Sequence, residues 1–197
     1  MRDLLLATKN EGKLREMREA LKGLDFNIVS SQELAQALPD VAETGATLLE
    51  NAQLKARAYA QASGLLALAD DTGLEVAALD GAPGVYSARY AGPGADDAAN
   101  NAKLLQALAD LGDPPRQAVF RTVMVLAEPK GREDWVAGRC EGLIPRQALG
   151  AAGFGYDPLF FVPAAGKTFA QMTLDEKNRV SHRGDALRRV RKLLERW

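Results

Sequence analysis

The sequence predicts an α/β protein built on a mixed β-sheet. In the first half of the chain, short apolar runs alternate with segments of helical periodicity, a pattern typical of strands joined by helices. Further along, two β-like runs flank a Pro-Lys-Gly turn and predict an antiparallel hairpin. Because both kinds of unit occur in one chain, we expect parallel and antiparallel pairs in one sheet, within a single domain over residues 1–197.

The start of the chain predicts a strand, a polar loop and a helix. Residues 4–7 form a short apolar strand, and the polar residues 8–13 form the loop. Apolar side chains then recur at helical spacing, at Leu14, Met17, Leu21 and Leu24. Residues 26–29 predict a second strand, and residues 30–46 predict mostly loop.

A second helix has predicted signals at both ends. Thr47 and Glu50 have the spacing of a capping box. Gly64 suits the C-terminal stop of a helix that runs to about Ser63. This helix is therefore expected between the long loop and the next strand.

The middle of the chain predicts two short strands and a third helix. The apolar residues 65–69 predict a buried strand, which we expect the polar residues 70–73 to break. Residues 74–79 then predict a further strand. Asp96 is expected to cap a helix that runs to about Ala109.

The second half predicts the hairpin, a glycine-rich loop and a last helix. Residues 118–127 and 135–140 are the two strands around the turn at 129–131. Residues 150–158 form the loop, which leads into the apolar run 159–162. The last helix places on one stripe Leu187, Val190, Leu194 and Trp197.

Composition excludes several classes of protein. The 25 Lys+Arg and 26 Asp+Glu residues give a net charge of -1, which argues against non-specific coating of nucleic acid. One cysteine, Cys140, cannot form an intrachain disulfide, and with the single His182 it leaves too few ligands for a Cys/His zinc site. No apolar stretch approaches the length of a membrane span. We expect a soluble, cytoplasmic protein that binds neither nucleic acid nor membrane.

Residues 8–13 are a candidate anion site at a strand–loop–helix junction. Backbone N–H groups at a helix start attract anions, and Thr8, Asn10 and Lys13 add hydrogen bonds and charge. The spacing is not that of a Walker loop. The alternative is an ordinary loop in which Asn10 caps the helix.

Asp70 and Asp71 are a candidate cation site at the end of an apolar strand. Adjacent carboxylates repel, and a hard cation such as Mg²⁺ would offset that repulsion. The alternative is a turn before Gly73 in which one carboxylate accepts backbone N–H bonds.

The region before and within the second helix adds further polar candidates. Asn51 and Lys55 are four residues apart and share a helix face. Glu50 has a sufficient role in the capping box. Glu43 lies in the acidic loop, where it is either a ligand or a solvated acid.

Two more candidates lie near the end of the chain. In residues 153–158, an aromatic between glycines could stack on a nucleobase, or Phe154 or Tyr156 could belong to the core of a tight turn. Lys177 and residues 181–183 could donate to a carbonyl oxygen, or the histidine could pack locally. Together, the five sets of residues suit a Mg²⁺–nucleotide better than most small ligands.

The motifs resemble those of the inosine triphosphate pyrophosphatase family over nearly the whole chain. The matching residues are 7–10 with 13, 43–45 with 50–52 and 55–56, and then the segments 69–74, 81–90, 153–158 and 181–183. Three positions depart from the family pattern: Lys9 replaces a common glycine, Thr72 a common serine, and Ala42 an acid found in some relatives.

The resemblance implies an enzyme that hydrolyses non-canonical purine nucleoside triphosphates (ITP, dITP and XTP) to the monophosphate and pyrophosphate. It implies an elongated mixed sheet with flanking helices in two lobes around a cleft, a Mg²⁺ cofactor and a homodimer. Two alternatives are a related pyrophosphatase acting on other modified bases and a non-catalytic nucleotide-binding module.

The resemblance also assigns roles to individual residues. The metal would be held by Glu43 and Asp71, and Asp71 would orient or deprotonate the attacking water. The phosphates would be gripped by Thr8, Lys9, Asn10, Glu11, Gly12 and Lys13, and Lys55 would help to neutralise them. Asp70 would support Asp71, and Thr72 would contact the substrate. The base pocket would involve Phe154, Gly155, Tyr156, Asp157, Lys177, His182 and Arg183.

Overall fold

In a computed structural model, which describes residues 2–112 and 114–197, the chain forms one eight-stranded mixed sheet and five α-helices. The strands are Arg2–Leu6 (β1), Phe26–Ser30 (β2), Leu66–Val76 (β3), Pro83–Gly84 (β4), Gln117–Ala127 (β5), Glu133–Leu143 (β6), Phe161–Val162 (β7) and Lys167–Thr168 (β8). The helices are Glu11–Leu21 (α1), Leu48–Ser63 (α2), Asp97–Asp110 (α3), Leu174–Val180 (α4) and His182–Leu194 (α5).

The strand order in the sheet is β2-β1-β3-β5-β6-β7-β8, and β4 pairs with β3. β1 is parallel to both β2 and β3, whereas β4 is antiparallel to β3 and β7 is antiparallel to β6 and β8. The predicted α/β class with a mixed sheet is therefore confirmed. None of the helices in the described part of the chain is both long and apolar enough to span a membrane.

The chain divides into two compact units. The first contains the chain up to Asp71 together with residues 122–138 and 183–197. In it, α1 and α5 pack on one face of β1 and β3, where Leu4 and Leu6 point, while Leu5 points to α2 on the other face. The two predicted helical stripes are confirmed as buried at Leu14, Met17, Leu21, Leu187, Val190 and Leu194. The last predicted member of each stripe, Leu24 or Trp197, is half-buried and lies beyond the end of its helix. Close approach of α2 to the sheet is possible because its buried side chains include Ala52, Ala56 and Ala60.

The second unit contains residues 72–121 and 139–182. Its apolar core joins α3 to the second half of β3 and to the short strands that follow the glycine-rich loop. Aromatic rings form its centre: the Phe120 ring lies 4.7 Å from that of Phe160 and 4.4 Å from the His182 ring.

The predicted end of the third strand is wrong. β3 continues without a break through Asp70 and Asp71 and ends at Val76, so residues 74–76 of the expected further strand belong to β3 and the rest of it is a 3₁₀ turn, Ala77–Leu79. The strand is not broken because the two carboxylates are buried with partners, and the Thr122 hydroxyl donates to the carbonyl oxygen of Asp71 at 3.1 Å.

Candidate active site

The polar segment after β1 is the N-terminus of α1. The side chain of Asn10 accepts the backbone N–H of Lys13 at 2.9 Å, and the Asn10 N–H donates to Thr8 Oγ1 at 3.2 Å. The helix-cap interpretation of Asn10 is thus confirmed, and α1 begins at Glu11, inside the segment expected to be loop. Gly12 and Lys13 therefore lie in the first helical turn, at the positive end of the helix dipole.

Two of the predicted phosphate-binding side chains have partners at the surface. The Lys9 ammonium lies 2.9 Å from the exposed carboxylate of Asp40, and Glu11 accepts a hydrogen bond from Gln32 at 2.7 Å. The positive charge that distinguishes Lys9 from the common glycine is therefore balanced within the chain.

Asp70 is buried in β3 and surrounded by cations. Its carboxylate oxygens lie 3.0 and 3.1 Å from Lys13 Nζ and 3.3 Å from Arg183 Nη2. Burial by itself raises the pKa of Asp70, but Lys13, Arg183 and Lys55 outweigh it and hold the pKa of that carboxyl well below its ordinary value. Asp70 is therefore ionised at neutral pH, where it holds the Lys13 ammonium beside it.

Arg183, predicted to read the base, lies buried between two carboxylates. Its Nη1 donates to Glu16 Oε2 at 2.6 Å, and its Nη2 faces Asp70. Burial lowers the pKa of the guanidinium, but Glu16 and Asp70 outweigh that effect and raise it. Glu16 is a site residue that the sequence reasoning missed, because nothing in its local pattern separates a buried glutamate on α1 from a solvated one.

Asp71 has a different environment from its neighbour. Its Oδ2 accepts a hydrogen bond from Asn51 Nδ2 at 3.2 Å, and its Oδ1 lies 3.7 Å from Lys55 Nζ. Burial raises the pKa of Asp71, Glu43 adds to the rise, and Lys55 only partly opposes it. Adjacent carboxyls whose pKa values shift in opposite directions are typical of a pair with separate chemical roles.

Glu43 and Asp71 share one lysine. Lys55 Nζ lies 2.5 Å from Glu43 Oε1, so the long loop and β3 each bring a carboxylate to the same point of α2. From the sequence, Glu43 was expected in a loop without an evident local partner; in the structure, its ion-pair partner is Lys55. The remaining residue of this region, Thr72, follows Asp71 in β3 and is half-buried.

This donor set fits a divalent cation. Carboxylate oxygens are the ligands that Mg²⁺ prefers, and repulsion between Glu43 and Asp71, which contributes to the raised pKa of Asp71, would be relieved by a cation. Among residues 2–112 and 114–197, no group of three or more His, Cys, Asp or Glu side chains could hold a metal ion. One or two carboxylates with water and substrate phosphates completing the coordination is the usual arrangement for Mg²⁺.

The second unit contains a buried ion pair within the predicted base pocket. Lys177 Nζ lies 2.5 Å from Asp157 Oδ2 and 4.6 Å from the centre of the Phe154 ring. The Asp157 carboxylate also accepts the backbone N–H of Phe154 at 2.9 Å. A side chain at Gly153 would overlap that carboxylate, which explains the glycine before the aromatic residue.

The other members of the predicted base pocket have structural partners. Tyr156 is buried, and its hydroxyl donates to the carbonyl oxygen of Ser87 at 2.8 Å, so the core interpretation holds for this residue. The Gly155 N–H donates to Asp97 at 2.6 Å. His182 stacks on the Phe120 ring at the start of α5.

Comparisons with known proteins agree over nearly the full chain. A model of the Ham1 family matches residues 4–193. The dITP/XTP pyrophosphatase of Desulforamulus reducens is 51% identical over 98% of this chain and 96% of its own. That of a Thermus thermophilus strain is 52% identical over 94% of this chain and 88% of its own.

Solved structures give the same result. A HAM1 protein from Coxiella burnetii superposes with a TM-score of 0.89 at 44% identity, covering 100% of both chains. The Staphylococcus aureus Ham1 protein has a TM-score of 0.84 at 40% identity and covers 98% of both chains. The resemblance drawn from the motifs is confirmed.

Proposed function

Since this chain belongs to the Ham1 family, we propose that it is a nucleoside-triphosphate pyrophosphatase that hydrolyses non-canonical purine nucleotides such as ITP, dITP and XTP. The products are the nucleoside monophosphate and pyrophosphate, so the enzyme removes these nucleotides from the pool. Relatives about half identical over their whole length carry the name dITP/XTP pyrophosphatase, which supports this substrate class.

The observation that carries the proposal is the contrast between Asp70 and Asp71. A module that only binds nucleotides needs cations for the phosphates, but it does not need a second buried carboxylate beside them. Here the Asp70 carboxylate is paired with Lys13 and Arg183, whereas the described hydrogen-bond and ion-pair partners of the Asp71 carboxylate are an amide and a more distant ammonium. Asp71 is therefore the residue that we assign to orient and deprotonate the attacking water.

Cleavage of the α–β phosphoanhydride needs positive charge around the phosphates and the leaving pyrophosphate. Lys13 and Lys55 supply it from α1 and α2, and the first turn of α1 with residues 8–12 adds backbone and side-chain donors. No covalent nucleophile is required, since the water attacks directly.

We assign the metal site to Glu43 and Asp71 and propose Mg²⁺ as the ion. When bound, it would neutralise negative charge on the phosphates and favour the ionised form of Asp71. Lys55 would remain beside both carboxylates and share in holding the phosphates.

We propose that Phe154, Lys177 and His182, with the surrounding residues Gly155, Tyr156, Asp157 and Arg183, form the base pocket. Hypoxanthine and xanthine carry an oxygen acceptor at the six-position, whereas adenine carries an amino donor there. A donor placed for that oxygen would be left without a partner by adenine, and sites of this kind discriminate by roughly 10⁴-fold.

The resemblance also implies a homodimer, which size-exclusion chromatography with light scattering would test.

The decisive experiment measures pyrophosphate release from ITP, dITP, XTP, GTP, ATP and modified pyrimidine triphosphates, with and without Mg²⁺. We expect Mg²⁺-dependent release from ITP, dITP and XTP. Preferential release from a modified pyrimidine would indicate the related pyrophosphatase, and no release from any nucleotide would indicate a binding module.

A further inference from the structure

We propose that Asn51 is a positioning residue. Its side-chain amide orients the Asp71 carboxylate and also holds in place the loop that carries Glu43. This inference deepens the proposed function and rests on it, because the task it assigns is to orient the carboxylate that we propose as the base and as a metal ligand. Asn51 lies in the first turn of α2 and is completely buried.

The amide of Asn51 bonds in two directions. Its Oδ1 accepts the backbone N–H of Gly45 at 2.7 Å, and its Nδ2 donates to Asp71 Oδ2 at 3.2 Å. A backbone N–H can only donate, so the amide oxygen must face Gly45 and the NH₂ group must face the carboxylate. The orientation of the amide is therefore fixed by its chemistry.

This orientation leaves Oδ1 as the oxygen of Asp71 that is available for reaction. Oδ2 accepts the hydrogen bond from the amide, whereas Oδ1 faces Lys55 Nζ at the longer distance of 3.7 Å. Asn51 and Lys55 lie four residues apart on the same face of α2, so one helix controls both oxygens of the carboxylate. Without the amide, the carboxylate could rotate toward Lys55 with either oxygen.

The same amide locates the loop. Glu43 lies two residues before Gly45 and reaches Lys55, one turn beyond Asn51 on α2. A side chain at position 45 would come within 2.8 Å of Asn51 Oδ1 and 2.6 Å of Glu50 Cβ, so only glycine brings the loop this close to the helix. Glu50 has a separate task, because its carboxylate accepts the N–H groups of Ala46 and Thr47 at the helix cap.

The second unit contains a matched residue without this connection. Asn100 is also buried in the first turns of a helix, accepts the Ala91 N–H at 2.7 Å and donates to the Ala88 carbonyl oxygen at 3.2 Å. The two asparagines therefore make bonds of the same lengths, but only Asn51 bonds to a carboxylate. Comparing variants at the two positions therefore separates the effect of orienting Asp71 from the loss of stability that follows removal of any buried amide.

The test compares Asn51→Ala with Asn100→Ala in the full chain. Measured quantities are the free energy of unfolding, kcat and KM for ITP, and affinity for Mn²⁺ from the electron paramagnetic resonance signal of the free ion. Both variants should lose stability. Only Asn51→Ala should lower kcat and Mn²⁺ affinity, each by about 10–100-fold, the usual effect of removing a hydrogen-bond partner of a metal-binding carboxylate. Its KM for ITP should change much less than its kcat.

A second variant covers the case in which Asn51→Ala does not fold. Asn51→Leu keeps the approximate size and branching of asparagine but has neither the acceptor for Gly45 nor the donor to Asp71, so it avoids the cavity left by alanine and should still lose kcat. The proposal is overturned if a folded Asn51 variant keeps the wild-type kcat, or if Asn100→Ala lowers kcat equally. Failure of the wild-type chain to hydrolyse any nucleotide would instead overturn the proposed function.

Discussion

Lys55 Nζ lies 2.5 Å from Glu43 Oε1, which makes a half-buried ammonium the counter-ion of the predicted metal ligand. Burial lowers the pKa of Lys55, but Asp70, Asp71 and Glu43 outweigh burial and raise it, so the lysine stays charged at neutral pH. The pair explains how Glu43, in a loop without regular structure, is held at a fixed place.

Lys55→Met should therefore reduce kcat/KM for ITP by about 10²–10³-fold, since it removes a charge aimed at the reacting phosphates. Steady-state kinetics would measure the loss. Lys22→Met is the matched control, because Lys22 is an exposed lysine that pairs only with Glu19 among its described ion-pair partners. Equal effects of the two substitutions would contradict the assignment.

Asp71→Asn should abolish turnover of ITP while nucleotide binding remains measurable by isothermal calorimetry. The amide cannot accept the proton of the attacking water, but it keeps the size of the carboxylate and leaves Lys13 in place. Near-normal turnover of this variant would refute the role of Asp71 as the base.

Because of Asp70, the free energy of unfolding should decrease as the pH is lowered into the acid range. Its pKa in the folded chain lies below the ordinary value of about 3.9, so its contribution is complete above that pH and is lost as pH falls through the folded pKa. The free energy of unfolding should fall between pH 4 and pH 3 more steeply for wild type than for Asp70→Asn, by up to about 1.4 kcal/mol per pH unit.

Urea titrations at several pH values would measure this difference in slope. The exposed Asp40→Asn provides the control for removing one carboxylate. Parallel curves for wild type and Asp70→Asn would show that the ion network does not perturb Asp70.

Glu16→Ala should cost about 3–5 kcal/mol of unfolding free energy, because it leaves the buried Arg183 without one of its two carboxylates. Denaturant unfolding would give the value. Glu141→Ala removes an exposed partner of Arg139 and should change stability by no more than about 1 kcal/mol.

His182→Ala and Arg183→Ala should lower the preference for ITP over ATP if these residues read the base. The ratio of kcat/KM values for ITP and ATP gives the preference for whatever fraction of each variant is folded, so lost stability does not obscure it. An unchanged ratio in both variants would exclude the pair as the determinant of base specificity.

Features that depend on neighbours in sequence could be predicted. The caps at Asn10, Thr47 and Gly64 and the apolar stripes of α1 and α5 follow from short spacings, and the structure confirms them. The prediction that the strand breaks at Asp70 was wrong, because Asp70 is paired with Lys13 and Arg183, which lie 57 and 113 residues away in the sequence. No local pattern reveals such partners, and Glu16 was missed for the same reason.

The first unit is assembled from three separate segments of the chain, and this has a consequence for its synthesis on the ribosome. Its core and its ion network need residues 183–197, yet Glu16 and Asp70 are translated 167 and 113 residues before Arg183. The emerging chain must therefore carry two carboxylates destined for burial while their guanidinium partner is still unmade. Until Arg183 leaves the exit tunnel, this unit should remain open to chaperones and proteases, and nascent chains that stall earlier should be degraded rather than accumulate as a partly active fragment.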